Sequence, residues 1–471
     1  MDKQTRIYTA FSSSGLFSST DTYKFHYADG RVLSNKELLD SIRETCPGVT
    51  FSGSTEVQDP RYTAGNIKAQ KERIDGVLYF GSLPSEIEEI DIPKIAVHPL
   101  WSQWQQPYAS YRGTRTLTAA VPIIPDASES VFSSRLETIA RKISILSTVS
   151  FFRDLDILVI TDKPVLGQYE PTYFQYGEEG RDLYEKKYLN NLHSLGASIT
   201  VRPQEEMAAN IEKVNDAEAE ETAERWMDNA EDIIGTNREE ITKSAKLYIV
   251  MKDMMEEYEC NAVTTEGYGV FIDYDGGPLP SQGMPSSQFC TDGVIATSET
   301  LLDSLVTQQA GLFLTGFAGL NGDYVIDETN SKAYIGHCEC PFNDPLQKGE
   351  YLPYIIRNLP QYPIDEQEKG GASVLVRFPA DEQITAAKIS VHDKKISLFS
   401  GTSVNGETLF PGWDHILCRT KLAVETDAHK LLENVDWKIF GNHRVAFFGD
   451  YRKDFMDLAE LMGYETVQKD R

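Results

Sequence analysis

Leu155-Asp-Ile-Leu-Val-Ile160 is a near-continuous apolar run. A strand that is apolar on both faces belongs to a parallel sheet covered by helices on both sides. The next segments fit such a sheet: the pattern gives a helix over Arg181–Leu195 and a strand over Ser198–Val201. Thr236-Asn-Arg-Glu239 has the spacing of a capping box. It would open a long helix running to Tyr258, whose Ile241, Ala245, Tyr248, Met251, Met255 and Tyr258 recur at three- and four-residue steps and face a core. That helix delivers the chain to Asn261–Glu266. A further helix is expected over Val294–Gln309, directly after Asp292, with its positive end supporting the negative charge there.

Working toward the N-terminus, Arg6–Phe11, Val49–Gly53, Gly76–Gly81 and Lys94–His98 read as strands, and Asn35–Glu44 and Ala64–Arg73 as helices. Strand, helix, strand at this spacing is a parallel sheet with covering helices. Ser12–Thr20 follows the first strand but is no GxGxxG fingerprint, and the chain carries no P-loop. From about residue 370 the character changes. Short β-rich runs at 370–378, 386–391, 395–402 and 415–424 with close turn signals suggest an antiparallel barrel or sandwich. Helices follow at Thr426–Leu432 and Asp454–Met462. Three domains are therefore expected, over 1–150, 151–345 and 346–471.

The chain of 471 residues carries a formal net charge of −27. Nucleic acids and anionic membranes are bound by basic surfaces, so neither is an expected partner. Much of the acidity lies between Glu205 and Glu240, where Asp216–Glu224 reads as the solvated face of a helix. Six cysteines in a chain this long make no disulfide framework. Cys338 and Cys340 offer no zinc spacing and read as small buried thiols. There is no apolar leader and no run of about 18 apolar residues, so a soluble, cytoplasmic protein is expected.

The chemistry concentrates in the second half. The stretches are Asn261-Ala-Val-Thr-Thr-Glu266-Gly-Tyr, Phe289-Cys-Thr-Asp292-Gly, Gly336-His337-Cys-Glu-Cys-Pro341 and Gly441-Asn-His443-Arg. Strand ends are where α/β folds place their chemistry. Two carboxylates and a histidine form a hard, partly nitrogen-ligated set of the kind that suits manganese. Paired carboxylates also serve acid/base work. With a cation they fit aldose–ketose isomerisation, in which a proton leaves one carbon and returns to its neighbour. No GxSxG elbow is present, while glycoside hydrolysis by two carboxylates stays open. The remaining histidines, His26, His98, His193, His392, His415 and His429, read as structural.

These stretches together resemble the L-fucose isomerase and L-arabinose isomerase superfamily, most strongly from Asn261 to His443. The resemblance implies an α/β fold of two Rossmann-like parallel-sheet domains followed by a C-terminal β-barrel domain. It also implies a metal-dependent ketol isomerase acting on an open-chain sugar, and a homo-oligomer. It assigns Glu266, Asp292 and His443 to Mn²⁺ or another divalent cation. Glu266 and Asp292 double as the acid/base pair, and Asp323 in Gly322-Asp-Tyr is the alternative second carboxylate. His337 would contact substrate oxygens, and Trp413 in Phe-Pro-Gly-Trp-Asp would stack on the sugar. Gly311–Phe317 matches the family's apolar strand. The chain departs from the family in having Cys-Thr-Asp-Gly where one more acid is usual. That divergence leaves the sugar open, including a sulfonated one such as sulfoquinovose, for which Arg112 and Arg115, after Trp101 and Trp104, are the candidate anion site. The competing class is a non-catalytic sugar-binding protein on the same scaffold.

Overall fold

The computed structural model describes residues 4–12, 25–26, 32–100, 111–122, 129–165, 178–266, 273–274, 277–278, 280–359, 371–404 and 418–471. The chain divides into two compact units, Met1–Phe152 with Met456–Glu465, and Arg153–Phe455 with Thr466–Arg471. It is a mixed α/β protein with two parallel sheets and a mostly antiparallel one.

In the first unit, five strands lie in the order Val49–Gln58, Thr5–Ser12, Gly76–Phe80, Lys94–Leu100, Thr116–Pro122, and all pairings are parallel. The first strand of the chain sits second in the sheet, and the later strands continue to one side, an order typical of doubly wound sheets. Tyr8, Ala10, Val77, Tyr79 and Ala96 form the core on one face, with Ile67 and Ile87 of the covering helices. Helix Asn35–Thr45 starts at a true capping box, in which Ser34 accepts from the Glu37 amide and Glu37 accepts from the Ser34 amide.

In the second unit, Asp156–Ile160 is a central strand of a parallel sheet ordered Ile295–Thr297, Ala262–Thr265, Asp156–Ile160, Ser198–Arg202. Ile157, Leu158, Val159 and Ile160 are fully buried, as a strand covered on both faces requires. Helix Arg238–Glu257 precedes Ala262 and buries Ile241, Ala245, Met251 and Met255. Its N-cap is Asn237, accepting from the Glu240 amide, while the Thr236 hydroxyl goes to the Gly371 carbonyl, one residue away from the expected box. In helix Asp216–Asn229 the buried residues are Ala219, Thr222, Ala223 and Trp226, which leaves the acids on the solvent side.

The mostly antiparallel sheet has seven strands in the order Gln383–Ser390, His443–Phe448, Leu320–Asp327, Lys332–His337, Thr420–Glu425, Lys395–Val404, Glu465–Gln468. Gln383–Ser390 pairs with Lys395–Val404 as well, so each of the first six strands has at least two partners. One continuous core joins Trp226 and Ile249 from the helical part to Leu320, Ile335, Phe399, Leu422 and Phe448 of this sheet. The hydrophobic interior thus runs through both the 151–345 and the 346–471 segments.

Two local expectations are corrected. No single helix spans Val294–Gln309. Helix Gly283–Thr291 ends, Gly293 turns with φ +79°, and Ile295–Thr297 forms a parallel strand beside Ala262–Thr265. Glu299 and Thr300 then take positive φ, and the next helix is Leu302–Thr315. β-Branched Ile295 and Thr297 suit the strand, and left-handed residues break the helix on either side of it. Gly311–Thr315 is the end of that helix, closed by Gly316 at φ +78°, and the following strand begins only at Leu320.

Candidate functional site

Three buried side chains from three different elements converge in the second unit. Glu299 lies in the turn after Ile295–Thr297, His337 ends strand Lys332–His337, and His443 begins strand His443–Phe448. Their ligand atoms all lie within 4.8 Å of one another, and no other such group of three occurs among the described residues. Glu299 Oε1 is 3.9 Å from His337 Nε2. The two imidazole centroids are 5.3 Å apart, with the planes inclined at 60°.

Local structure fixes each ring. Asn442 Nδ2 donates to Asp323 Oδ1 at 2.9 Å, which turns its Oδ1 toward His443 Nδ1, also at 2.9 Å. Nδ1 must then carry the proton, and the Nε2 lone pair is left for a ligand. Burial, with His337, Lys388 and Arg444 nearby, holds the His443 pKa well below the usual histidine range, so the ring is neutral. His337 Nδ1 accepts from the Glu339 amide at 3.3 Å and lies 3.6 Å from the Glu339 carboxylate. Burial opposes charge on His337, yet Glu339, Glu299, Cys338 and Asp323 outweigh it and raise its pKa. Glu339 in turn accepts from Ser298 N at 3.0 Å and Ser298 Oγ at 3.1 Å. The turn carrying Glu299 is thereby tied to the strand carrying His337. For His337 Nε2 to ligate a cation, Nδ1 must carry the proton and turn it to the Glu339 carboxylate 3.6 Å away in place of the amide contact, and a carboxylate so placed orients a ligating imidazole.

The backbone at Glu299 is itself unusual. Glu299 and Thr300 sit at φ +63° and +50° in succession, a conformation uncommon for residues with a Cβ and one that clusters at functional sites. Thr300 N donates to Thr265 O at 2.8 Å, which fastens the turn to the residue before Glu266.

The expected site residues fall in different places. His443 and His337 are brought together. Glu266 follows Ala262–Thr265, the strand adjacent to Ile295–Thr297, so it shares the carboxyl edge of that sheet with Glu299. Its carboxylate accepts from Thr161 Oγ1 at 2.9 Å, Asp162 N at 3.1 Å and Gln204 Nε2 at 3.0 Å, and meets Lys163 Nζ at 2.6 Å. Asp292 does not open a helix. It is the exposed residue that ends Gly283–Thr291, at the negative pole of the helix dipole, accepting from Gln288 Nε2 at 2.9 Å. Neither Glu266 nor Asp292 belongs to the converging group. Asp323 does approach it, with Oδ1 3.9 Å from His443 Nε2, and burial raises its pKa against the opposing effect of His337. Trp413, Trp101 and Trp104 lie outside the described residues. Arg115 donates from Nε to Leu461 O at 2.7 Å and pairs with Asp91 at 2.7 Å. It immediately precedes Thr116–Pro122, at the edge of the parallel sheet opposite the strands' carboxyl ends. Of the other histidines, His392 stacks on Tyr184 and His429 pairs with Glu328.

Glu299 is the residue that the sequence pattern did not single out. The available signal was a short β-branched run, Ile295-Ala-Thr297, ending in Ser-Glu, the same strand-then-acid pattern that marks Glu266. The helix expected across it concealed it.

One carboxylate and two imidazoles are a donor set for a borderline divalent cation such as Mn²⁺, Fe²⁺ or Zn²⁺, with positions left for substrate or water oxygens. His337 Nε2 and His443 Nε2 are both buried with no hydrogen-bond partner. Buried polar atoms are otherwise nearly always paired, so the residues fit a cation.

No protein-family model matches the chain, and no curated protein matches it. Among solved structures it is similar at 10% identity to one described as a two-component system response regulator/GGDEF domain protein. That match covers 66% of this chain and 99% of the other, with a TM-score of 0.25. It is similar at 12% identity to a carbohydrate transporter from Acidothermus cellulolyticus 11B in complex with myo-inositol, covering 66% and 88%, with a TM-score of 0.15. At these scores neither likeness supports an argument about fold or function.

Proposed function

We propose that the protein is a metal-dependent aldose–ketose isomerase acting on an open-chain sugar, with Glu299, His337 and His443 holding the divalent cation, Mn²⁺ first among candidates. The observation that carries this reading is the convergence of the three donors around two buried, unpartnered imidazole nitrogens. The ordered resemblance of Asn261–His443 to the fucose and arabinose isomerases supplies the reaction class. When bound, the cation would supply a Lewis acid for the two reacting oxygens.

The chain's own groups would handle the protons. Glu266, on the strand end next to Glu299, is the base of this proposal, and Lys163 and Gln204 hold its carboxylate in place. Asp323 is its partner acid in preference to Asp292, because it is half-buried beside His443 and its raised pKa favours carrying a proton. The same proposal takes the six doubly paired strands as a barrel domain after two Rossmann-like domains. It includes a cytoplasmic homo-oligomer and sugar stacking on Trp413.

Incubating an aldose and its ketose with Mn²⁺-loaded protein in D₂O tests the reaction. Deuterium should enter C1 or C2, because carboxylates exchange their protons with solvent. Interconversion without label would replace proton transfer by a hydride shift. Metal and sugar binding without turnover would leave a sugar-binding protein.

A further inference from the structure

Asn321 is 3% exposed, and neither its Nδ2 nor its Oδ1 has a hydrogen-bond partner. An amide can form several hydrogen bonds, and leaving donor and acceptor both unmet in the interior is costly. Its position in the ladder gives those unmet atoms meaning. Along Leu320–Asp327 the register against His443–Phe448 is regular, with Asn321 opposite Val445 and Asp323 opposite His443. Side chains alternate across a sheet. Leu320, Tyr324, Ala446 and Phe448 belong to the core on one face, so Asn321, Asp323, Val445 and His443 share the other. A Cβ built on Gly319 would lie 2.6 Å from Val445 Cγ1, as the same alternation requires. Diagonal neighbours in such a ladder have Cβ atoms about 7 Å apart, which puts Asn321 within a side chain's reach of His443.

A second observation is independent of the first. Helix Leu302–Thr315 packs on this region with a buried polar side: Asp303, Ser304, Thr307 and Gln308 are all within 2% of full burial. Gln308 Oε1 is likewise unpartnered, and Ser304 Oγ receives Lys388 Nζ. An apolar helix–sheet seam would be the ordinary solution. Asp303 accepts from Tyr188 Oη and Val391 N, and Thr307 from Ile389 N, so in this layer Gln308 Oε1 is the acceptor left for a hydroxyl.

We propose that Asn321 is a specificity-determining residue that receives a hydroxyl of a neutral open-chain polyol, the amide offering it one donor and one acceptor. This deepens the isomerase reading and rests on it. A hydroxyl both gives and takes a hydrogen bond, and so matches a primary amide better than an anionic group does.

The test uses the full chain loaded with Mn²⁺ and titrated calorimetrically with ribitol, xylitol and arabinitol, alongside thermal unfolding without ligand. Asn321→Leu keeps the volume and removes the unmet polar atoms. It should raise the ligand-free Tm, leave Mn²⁺ affinity within about twofold, and weaken the best alditol by about tenfold, the scale of one or two lost hydrogen bonds. Asn321→Asp keeps an acceptor without the donor and should change the order of preference among the three alditols. A lower Tm in Asn321→Leu with unchanged alditol affinity would show a structural amide and overturn the assignment. Wild-type protein that binds Mn²⁺ but none of the alditols would overturn it as well. Wild-type protein that binds no Mn²⁺ would remove the isomerase reading and this inference together.

Discussion

The imidazoles of His337 and His443 stand 5.3 Å apart in the interior, each with its Nε2 buried and unpaired. Neighbouring strands bring them there: His443 pairs with Asp323, and Asp323 pairs with Gly336, the residue before His337. Each ring could have closed the gap by hydrogen bonding to main chain or to the other. Instead Asn442 and Glu339 take the Nδ1 positions, which leaves His337 Nε2 3.9 Å from Glu299 Oε1 and His443 Nε2 3.9 Å from Asp323 Oδ1.

The two aspartates offered as the second carboxylate should behave differently. Asp323→Asn removes a raised-pKa acid beside His443 and should lower kcat by about a hundredfold, the low end for loss of a positioned acid or base. Asp292→Asn changes an exposed helix end and should leave kcat within about twofold. Steady-state assays on the two variants decide the matter, and the opposite ranking would restore Asp292.

Helix Leu302–Thr315 approaches strand His443–Phe448 so closely that a Cβ at Gly311 would sit 1.9 Å from Phe447 Cε1. Gly311→Ala should therefore destabilise the protein by about 2 kcal/mol through overpacking, seen as a lower urea midpoint. Phe447→Leu in the same background should recover part of the loss. A Gly311→Ala midpoint equal to the wild type would mean that the helix is not seated on the strand that carries His443.

Burial pushes the His98 pKa down to about 4, against about 6.5 in an unfolded chain. Between those values the unfolded chain binds the extra proton, so stability is full above about pH 6.5 and falls as the pH drops. The loss is complete near pH 4 and amounts to about 3 kcal/mol. His98→Phe keeps a ring against Tyr111, which stacks on His98 at 5.8 Å, and should flatten that part of the profile. Denaturant titrations from pH 7 to 4 would show it. An unchanged slope in the variant would place the acid sensitivity elsewhere.

Legibility in the sequence followed the range of the forces involved. The strand at Asp156–Ile160 and the helix stripe from Ile241 to Met255 could be read because burial on two faces, or on one helical face, writes a local pattern. Thr236-Asn-Arg-Glu239 marked the helix start to within one residue. The turn at Ser298–Thr300 could not be read, because neither residue at positive φ is glycine and the tether to Thr265 is a main-chain hydrogen bond that leaves no side-chain signal. His337 and His443 each stand out in the sequence, but their adjacency depends on the register of three antiparallel strands. Asp292 was misplaced with the helix expected after it. Once Gly293 ends one helix and Ile295 begins a strand, that carboxylate is left at an exposed helix end.

The central claim, that Glu299 with His337 and His443 forms the cation site, is tested most directly by Mn²⁺ titration followed by electron paramagnetic resonance. The wild type should bind a single Mn²⁺ per chain. Loss of an outer partner of a ligand alone costs about 10–100-fold in affinity, so Glu299→Gln, His337→Ala and His443→Ala should each weaken binding by at least about a hundredfold. Asp292→Asn should bind as the wild type does. Full Mn²⁺ affinity in Glu299→Gln together with its loss in Asp292→Asn would contradict the account.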